Sequence, residues 1–224
     1  MTEFMTWIKI CGTTNLDDAL AAVEAGADAL GFVFYEKSLR KIDPESAREI
    51  VKNLPSKIEK VGVFVNESVE TVLDTAAQTG LTAAQLHGVE SRKPEFVRAL
   101  KTGRDLKIFL VLPATDISMG FEWSKDAEAG ISGVFFDSAT PQLPGGTGRI
   151  FYWRAAASGI QAIGEKLNVV VAGGLNSTNV ADAIRILKPW GVDVASGVEA
   201  RPGKKDPEKV RAFIDAVRKI EKKN

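Results

Sequence analysis

The chain has 224 residues, 45% of them apolar, and its 29 Lys and Arg equal its 29 Asp and Glu. That apolar share is enough to fill a sizeable core and excludes a disordered chain, while the balanced charge excludes a strong field for nucleic acid. One cysteine and one histidine exclude an intramolecular disulfide framework and a Cys/His metal site. No carboxylate cluster shows a ligand spacing either, so no metal is expected.

From Met1 to Trp7 no apolar run is long enough for a signal peptide, and no later segment approaches a membrane span. A soluble, cytoplasmic protein with no membrane partner is the expectation, and the lone thiol suits a reducing compartment. The clean ends favour a free-standing protein. The oligomeric state is not read from the sequence.

Short apolar, β-branched or aromatic runs end near Cys11, Phe34, Val65, Leu86, Leu112, Asp137, Ala172 and Ser196, and most lead into a helix-like stretch. Runs such as Val61-Gly62-Val63-Phe64-Val65 and Val169-Val170-Val171-Ala172 are almost continuously apolar, as strands covered on both faces must be. Asp43-Pro44-Glu45 and Asp206-Pro207-Glu208 each put a capping acid before a proline at the first helical position. After the second, Val210, Phe213, Ile214, Val217 and Ile220 fall at helical spacing. Gly26, Gly80 and Gly130 stand where helices should stop. The fifth unit is indistinct, because Ala114 through Ala129 has no clear period. Eight strand–helix units without a linker predict a single (β/α)8 TIM barrel over residues 1–224. An open doubly wound sheet is the competitor, but the first strand is not followed by Gly-x-Gly-x-x-Gly.

Barrel chemistry sits where strands end at their carboxyl side. There the sequence puts Cys11-Gly12, Gln85-Leu86-His87-Gly88 and Asp137-Ser138, which are acid–base groups. Glycines crowd the later loops: Gly145-Gly146-Thr147-Gly148, Gly173-Gly174 and Ser196-Gly197. Backbone amides in such loops, and a short extra helix opening at Ser196-Gly197-Val198-Glu199, can hold a phosphate. Gly146, Gly173, Gly174, Ser196 and Gly197 are therefore candidate substrate-binding positions, each equally readable as a tight turn.

Together, Lys9-Ile10-Cys11-Gly12, Gln85-Leu86-His87-Gly88, Asp137 with Gly145-Gly146-Thr147-Gly148, Ala172-Gly173-Gly174-Leu175-Asn176, Ser196-Gly197-Val198-Glu199 and Gly203-Lys204-Lys205-Asp206 resemble the phosphoribosylanthranilate isomerase family, in order and nearly end to end. One departure is Phe151-Tyr152-Trp153, where the family more usually has Phe-Asp-Trp. The resemblance implies an Amadori rearrangement of a phosphosugar, a step of tryptophan biosynthesis that needs no cofactor. It implies Cys11 as general base, Asp137 as general acid, and Arg40 as partner of the anthranilate carboxylate. A guanidinium fork suits that planar anion.

Both proton-transfer roles strain ordinary pKa values, since a thiol near ~8.5 and a carboxyl near ~3.9 must both move toward neutrality. Each residue also has a plainer reading: Cys11 as a small buried hydrophobe, Asp137 as a cap or ion-pair partner, Arg40 as a solvated surface arginine. His87 is read as a wall of the site or a hydrogen-bonding group rather than a catalyst. Another phosphosugar barrel enzyme, such as indole-glycerol-phosphate synthase, and a phosphate-binding barrel without turnover are the alternatives.

Overall fold

The computed structural model describes residues 5–114, 130–137 and 152–222. Among them, eight parallel strands close into a barrel: β1 Trp7–Cys11, β2 Ala29–Val33, β3 Glu59–Val65, β4 Ala83–His87, β5 Lys107–Pro113, β6 Gly133–Asp137, β7 Asn168–Val171 and β8 Gly191–Val194. Each strand pairs with the next, and β1 returns to β8 with Trp7 opposite Gly191 and Lys9 opposite Asp193. The barrel predicted from the eight apolar runs is therefore present, and every strand ends within two residues of its expected place.

The outer layer contains α1 Leu16–Ala25, α2 Pro44–Lys52, α3 Val69–Thr79, α4 Pro94–Gly103, α5 Trp153–Gly164, α6 Val180–Leu187 and α7 Pro207–Glu221. Asp43 and Asp206 cap α2 and α7, accepting from the Ser46 amide at 2.8 Å and the Glu208 amide at 3.0 Å. Asn15 and Ser68 cap α1 and α3 in the same way. Gly26 and Gly80 end α1 and α3 in the left-handed region. In α7 the five expected apolar residues are all buried, and this helix packs between α1 and α6. The indistinct fifth unit, apart from Ala114, lies outside the described residues, as does whatever Gly130 terminates.

The barrel interior is solid at its amino-terminal end. Trp7 stacks on Trp190 at 5.0 Å and on Phe109 at 6.0 Å, and Phe135 meets Phe109 edge-on at 5.5 Å. Offset and edge-to-face contacts of this kind add to the burial of large rings. Alternation along the strands aims every second side chain inward. The next layer toward the carboxyl end holds Lys9, Gln85 and Asp193, all buried.

A small antiparallel hairpin, β9 Glu199–Arg201 with β10 Lys204–Lys205, follows β8; it was not legible as strand in the sequence. No helix of the described residues is long and apolar enough to cross a membrane.

Tyr152 stands at the N-cap of α5, is 75% exposed, and makes no side-chain capping bond. Its departure from Phe-Asp-Trp thus removes a cap and buries little in exchange. Tyr152→Asp should stabilise the protein by about 1 kcal/mol, and Asp206→Ala should destabilise it by about 1 kcal/mol, measured by urea unfolding. No gain from the first variant would mean that α5 is held entirely by packing.

Candidate active site

A cavity of about 470 Å³ opens at the carboxyl end of the barrel, lined among others by Cys11, Arg40, His87, Asp137, Gly173, Gly174 and Ser196. Seven of the nine site residues expected from sequence therefore face one space. Gly146 lies outside the described residues. Gly197 does not line the cavity: a Cβ there would stand 1.9 Å from the Leu175 carbonyl oxygen, so its missing side chain lets the loop after β8 lie against the loop after β7.

Cys11 closes β1 and is 8% exposed. Burial pushes its thiol up; Lys9 and, more weakly, Lys205 pull it down, Asp193 pushes it further up, and the net position is above the ordinary thiol range. The sulfur sits against Val33 and Val63, apolar walls from β2 and β3. Gly31 in β2 makes the room, because a Cβ on it would stand 2.8 Å from the Cys11 Sγ and 3.0 Å from the Lys9 Nζ.

Arg40 is held by a two-pronged contact, its Nε donating to Glu199 Oε1 at 2.8 Å and its Nη2 to Glu199 Oε2 at 2.7 Å. That contact raises the guanidinium pKa. Burial alone would raise the Glu199 carboxyl, but Arg40 and Lys205 outweigh it and hold it low. Gly12, at φ +78°, lets the arginine cross the chain: a Cβ there would meet Arg40 Cδ at 2.5 Å. The bidentate geometry leaves Nη1 unused by Glu199, and a guanidinium edge of this kind suits a planar anion.

Lys205, 2% exposed, sits beneath this pair. Its ammonium donates to the Cys11 carbonyl at 2.5 Å and to Glu199 at 3.0 Å, and burial lowers its pKa. Asp18 on α1 receives the Lys205 amide at 2.7 Å and the Lys204 ammonium at 2.5 Å. A buried polar chain thus fixes hairpin, first strand and Arg40 against one another. The sequence motifs contained Glu199 and Lys205, but only the fold shows that both turn inward.

His87 ends β4 with its Nε2 at 3.3 Å from the Gln85 Nε2. Burial, with the Lys9 charge second, lowers its pKa to about 4. Gln85 lines the cavity, and its Oε1 is buried with no hydrogen-bond partner. Gly173 and Gly174 both have positive φ, +84° and +67°, and bend the loop after β7 around the cavity. Ser196 opens a short 3-10 turn, Ser196–Val198, at the place where the sequence suggested a short extra helix. Among the described residues, no group of three His, Cys, Asp or Glu side chains could hold a metal ion.

Comparison with known proteins gives this arrangement a context. A family model described as N-(5'phosphoribosyl)anthranilate (PRA) isomerase matches residues 8–216. The N-(5'-phosphoribosyl)anthranilate isomerase of Pelodictyon phaeoclathratiforme is 43% identical over 215 residues, 96% of this chain and 99% of that one. The crystal structure of phosphoribosyl anthranilate isomerase from Thermotoga maritima superposes with a TM-score of 0.80 at 39% identity, covering 96% of this chain and all of that one. A phosphoribosyl anthranilate isomerase in complex with reduced 1-(o-carboxyphenylamino)-1-deoxyribulose 5-phosphate superposes with a TM-score of 0.76 at 38% identity, again over 96% of this chain and all of that one. On the matched model and these relatives, the chain belongs to the N-(5'-phosphoribosyl)anthranilate isomerase family.

Proposed function

We propose that this protein isomerises N-(5'-phosphoribosyl)anthranilate to 1-(2-carboxyphenylamino)-1-deoxyribulose 5-phosphate, as part of tryptophan biosynthesis in the cytoplasm. The observation that carries the reading is the convergence of Cys11, Asp137 and Arg40 on one cavity at the carboxyl end of the barrel. The family membership supplies the substrate, and the single cysteine suits the compartment.

Asp137 donates a proton to the furanose ring oxygen as the C1′–O bond breaks, and the anthranilate nitrogen lone pair forms the C1′=N bond of a cationic Schiff base. Cys11 then removes the proton from C2′, and the C–H electrons move toward the iminium to give an enolamine. Loss of the enol proton and protonation of C1′ complete the aminoketose. Asp137 regains a proton and Cys11 releases one through solvent, so the net change is an isomerisation with no oxidant or reductant. General acid and base catalysis of this kind contributes about 10²–10⁴-fold each. A buried, neutral thiol fits the resting site, and the positive Schiff base arriving beside it favours its ionisation.

Arg40 meets the anthranilate carboxylate with the edge that Glu199 leaves available. The loops at Gly173-Gly174 and Ser196, with Gly146 from the loop after β6, receive the phosphate through backbone amides. His87, neutral until about pH 4, walls the cavity and carries no proton in the reaction.

Anthranilate fluorescence followed after mixing protein with freshly made substrate tests the reading. The unmodified protein should turn the substrate over, and Cys11→Ala and Asp137→Asn should each lower kcat at least about 100-fold while remaining folded. Near-normal turnover by either variant would remove that residue from the chemistry.

For Arg40, replacement by Ala should raise KM roughly tenfold or more, the loss of a charge-assisted hydrogen bond, and leave the inhibition constant of inorganic phosphate unchanged. A parallel loss in both constants would point to a collapsed site.

For His87 the sign follows from its lowered pKa. The neutral ring contributes stability that is complete above about pH 6.5 and is lost as pH falls toward about 4. Between pH 7 and pH 5 the unmodified protein should therefore lose on the order of 1–2 kcal/mol more unfolding free energy than His87→Gln. Equal losses in urea unfolding would show that the histidine is not held neutral.

A further inference from the structure

Lys9 lies two residues before Cys11 on the same inward face of β1, and it is 0% exposed. Its Nζ donates to Asp193 Oδ1 at 2.9 Å, across the seam that closes the barrel. It also stands 5.1 Å over the centre of the Phe135 ring. Gly31 brings Cys11 Sγ and Lys9 Nζ to within 2.8 and 3.0 Å of one point in space. A fully buried ammonium is expensive to keep, and Asp193 is the carboxylate that pairs it; the Cys11 thiol lies beside it.

We propose that Lys9, held by Asp193, is a positioning residue that supplies the positive charge against which the Cys11 thiolate forms. The inference rests on Cys11 being the base that takes the C2′ proton. Lys9 touches no substrate atom in this role. It acts through the sulfur, and Asp193 both orients it and partly offsets its charge.

The surroundings favour Lys9 over other cations. From β8, Asp193 opposes the thiolate. From the loop after β2, Arg40 faces the same cavity, but its charge is answered by Glu199 at 2.7 Å. Lys205, from β10, spends its contacts on the Cys11 carbonyl, the Ala195 carbonyl and Glu199. Tyr35 packs near the sulfur, Asp137 lines the cavity from β6, and His87 on β4 stays neutral. Burial alone would lower the Lys9 pKa, but Asp193 and Cys11 outweigh it and hold it above the ordinary lysine value. The lysine therefore remains a cation throughout the pH range in which the enzyme would work.

Cys11 is the only cysteine, so thiolate ultraviolet absorbance and iodoacetamide alkylation report this sulfur without ambiguity. Asp193→Asn keeps the lysine and removes a negative charge. Lys9→Met paired with Asp193→Asn removes both charges without stranding a buried carboxylate, which guards against a single Lys9→Met that fails to fold.

The expected results have opposite signs. Asp193→Asn should shift the thiolate midpoint down, and the double variant should shift it up by about one pH unit or more relative to Asp193→Asn. At a pH below the midpoints that is about a tenfold slower alkylation. The limb of the kcat profile set by the thiol should move with the midpoint. Midpoints of the two variants within about 0.3 unit of each other would overturn the role of Lys9, leaving the pair as a structural bridge. Because the thiol titration needs no turnover, it stands apart from the test of the base itself: full activity in Cys11→Ala would sink the reading of Cys11, whatever the titration shows.

Discussion

Closure of the barrel depends on the seam between β1 and β8, where the first strand meets the last with Lys9 opposite Asp193. Parallel pairing supplies the backbone bonds there as it does elsewhere, but among the seams of the barrel, in the described residues, this one carries a buried ion pair between its two strands. A pair of this kind contributes little net stability, since desolvation offsets attraction. It does penalise mispairing, because a one-residue slip of β1 against β8 would turn Lys9 to the helix-facing side and leave Asp193 inside without its partner. Register at the seam also decides which residues of β1 and β8 look into the cavity.

From the seam outward, the mouth is built as one connected polar body. Lys205 binds the last carbonyl of β1, the loop after β8 and Glu199; Glu199 holds Arg40; Asp18 on α1 holds the hairpin from below. Each buried charge has a partner, as burial demands. The consequence is that Arg40, on a loop that sequence alone would leave mobile, is fixed from two sides by Glu199 and from beneath by Gly12. A binding group ordered before its ligand arrives loses less entropy on binding.

How much of this was legible in the sequence depended on whether the signal was periodic. The strands, the caps at Asp43 and Asp206, and the buried stripe of α7 follow from alternation, spacing and cap chemistry over a few residues. Cys11, Asp137 and His87 could be placed at the mouth because strand ends in this architecture point there, and Arg40 because the family resemblance implied it. Lys9 and Asp193 were not legible as a pair: they are 184 positions apart and interrupt apolar runs, where a charge in a strand reads as a flaw in the pattern. The hairpin of β9 and β10 escaped because three- and two-residue strands are too short to show a period. Gly197 was read both as an anion-binding and as a turn glycine, and the close Leu175 carbonyl gives it a packing reason of its own that loop composition does not reveal.

The same layer explains why a thiol suits position 11 under the proposed chemistry. A carboxylate there would be charged at rest, buried beside Asp193, and would compete with it for the single Lys9 ammonium. Two buried acids sharing one cation force one of them to take up a proton. A thiol is neutral at rest, so the Lys9–Asp193 pair can stay intact and the site can remain closed and apolar around Val33 and Val63. In the proposed reaction the positive Schiff base of the substrate adds to the Lys9 charge in favouring the thiolate. The buried pair and the thiol are therefore matched: Lys9 makes the thiolate reachable, and the neutrality of the resting thiol leaves Lys9 free to hold the seam.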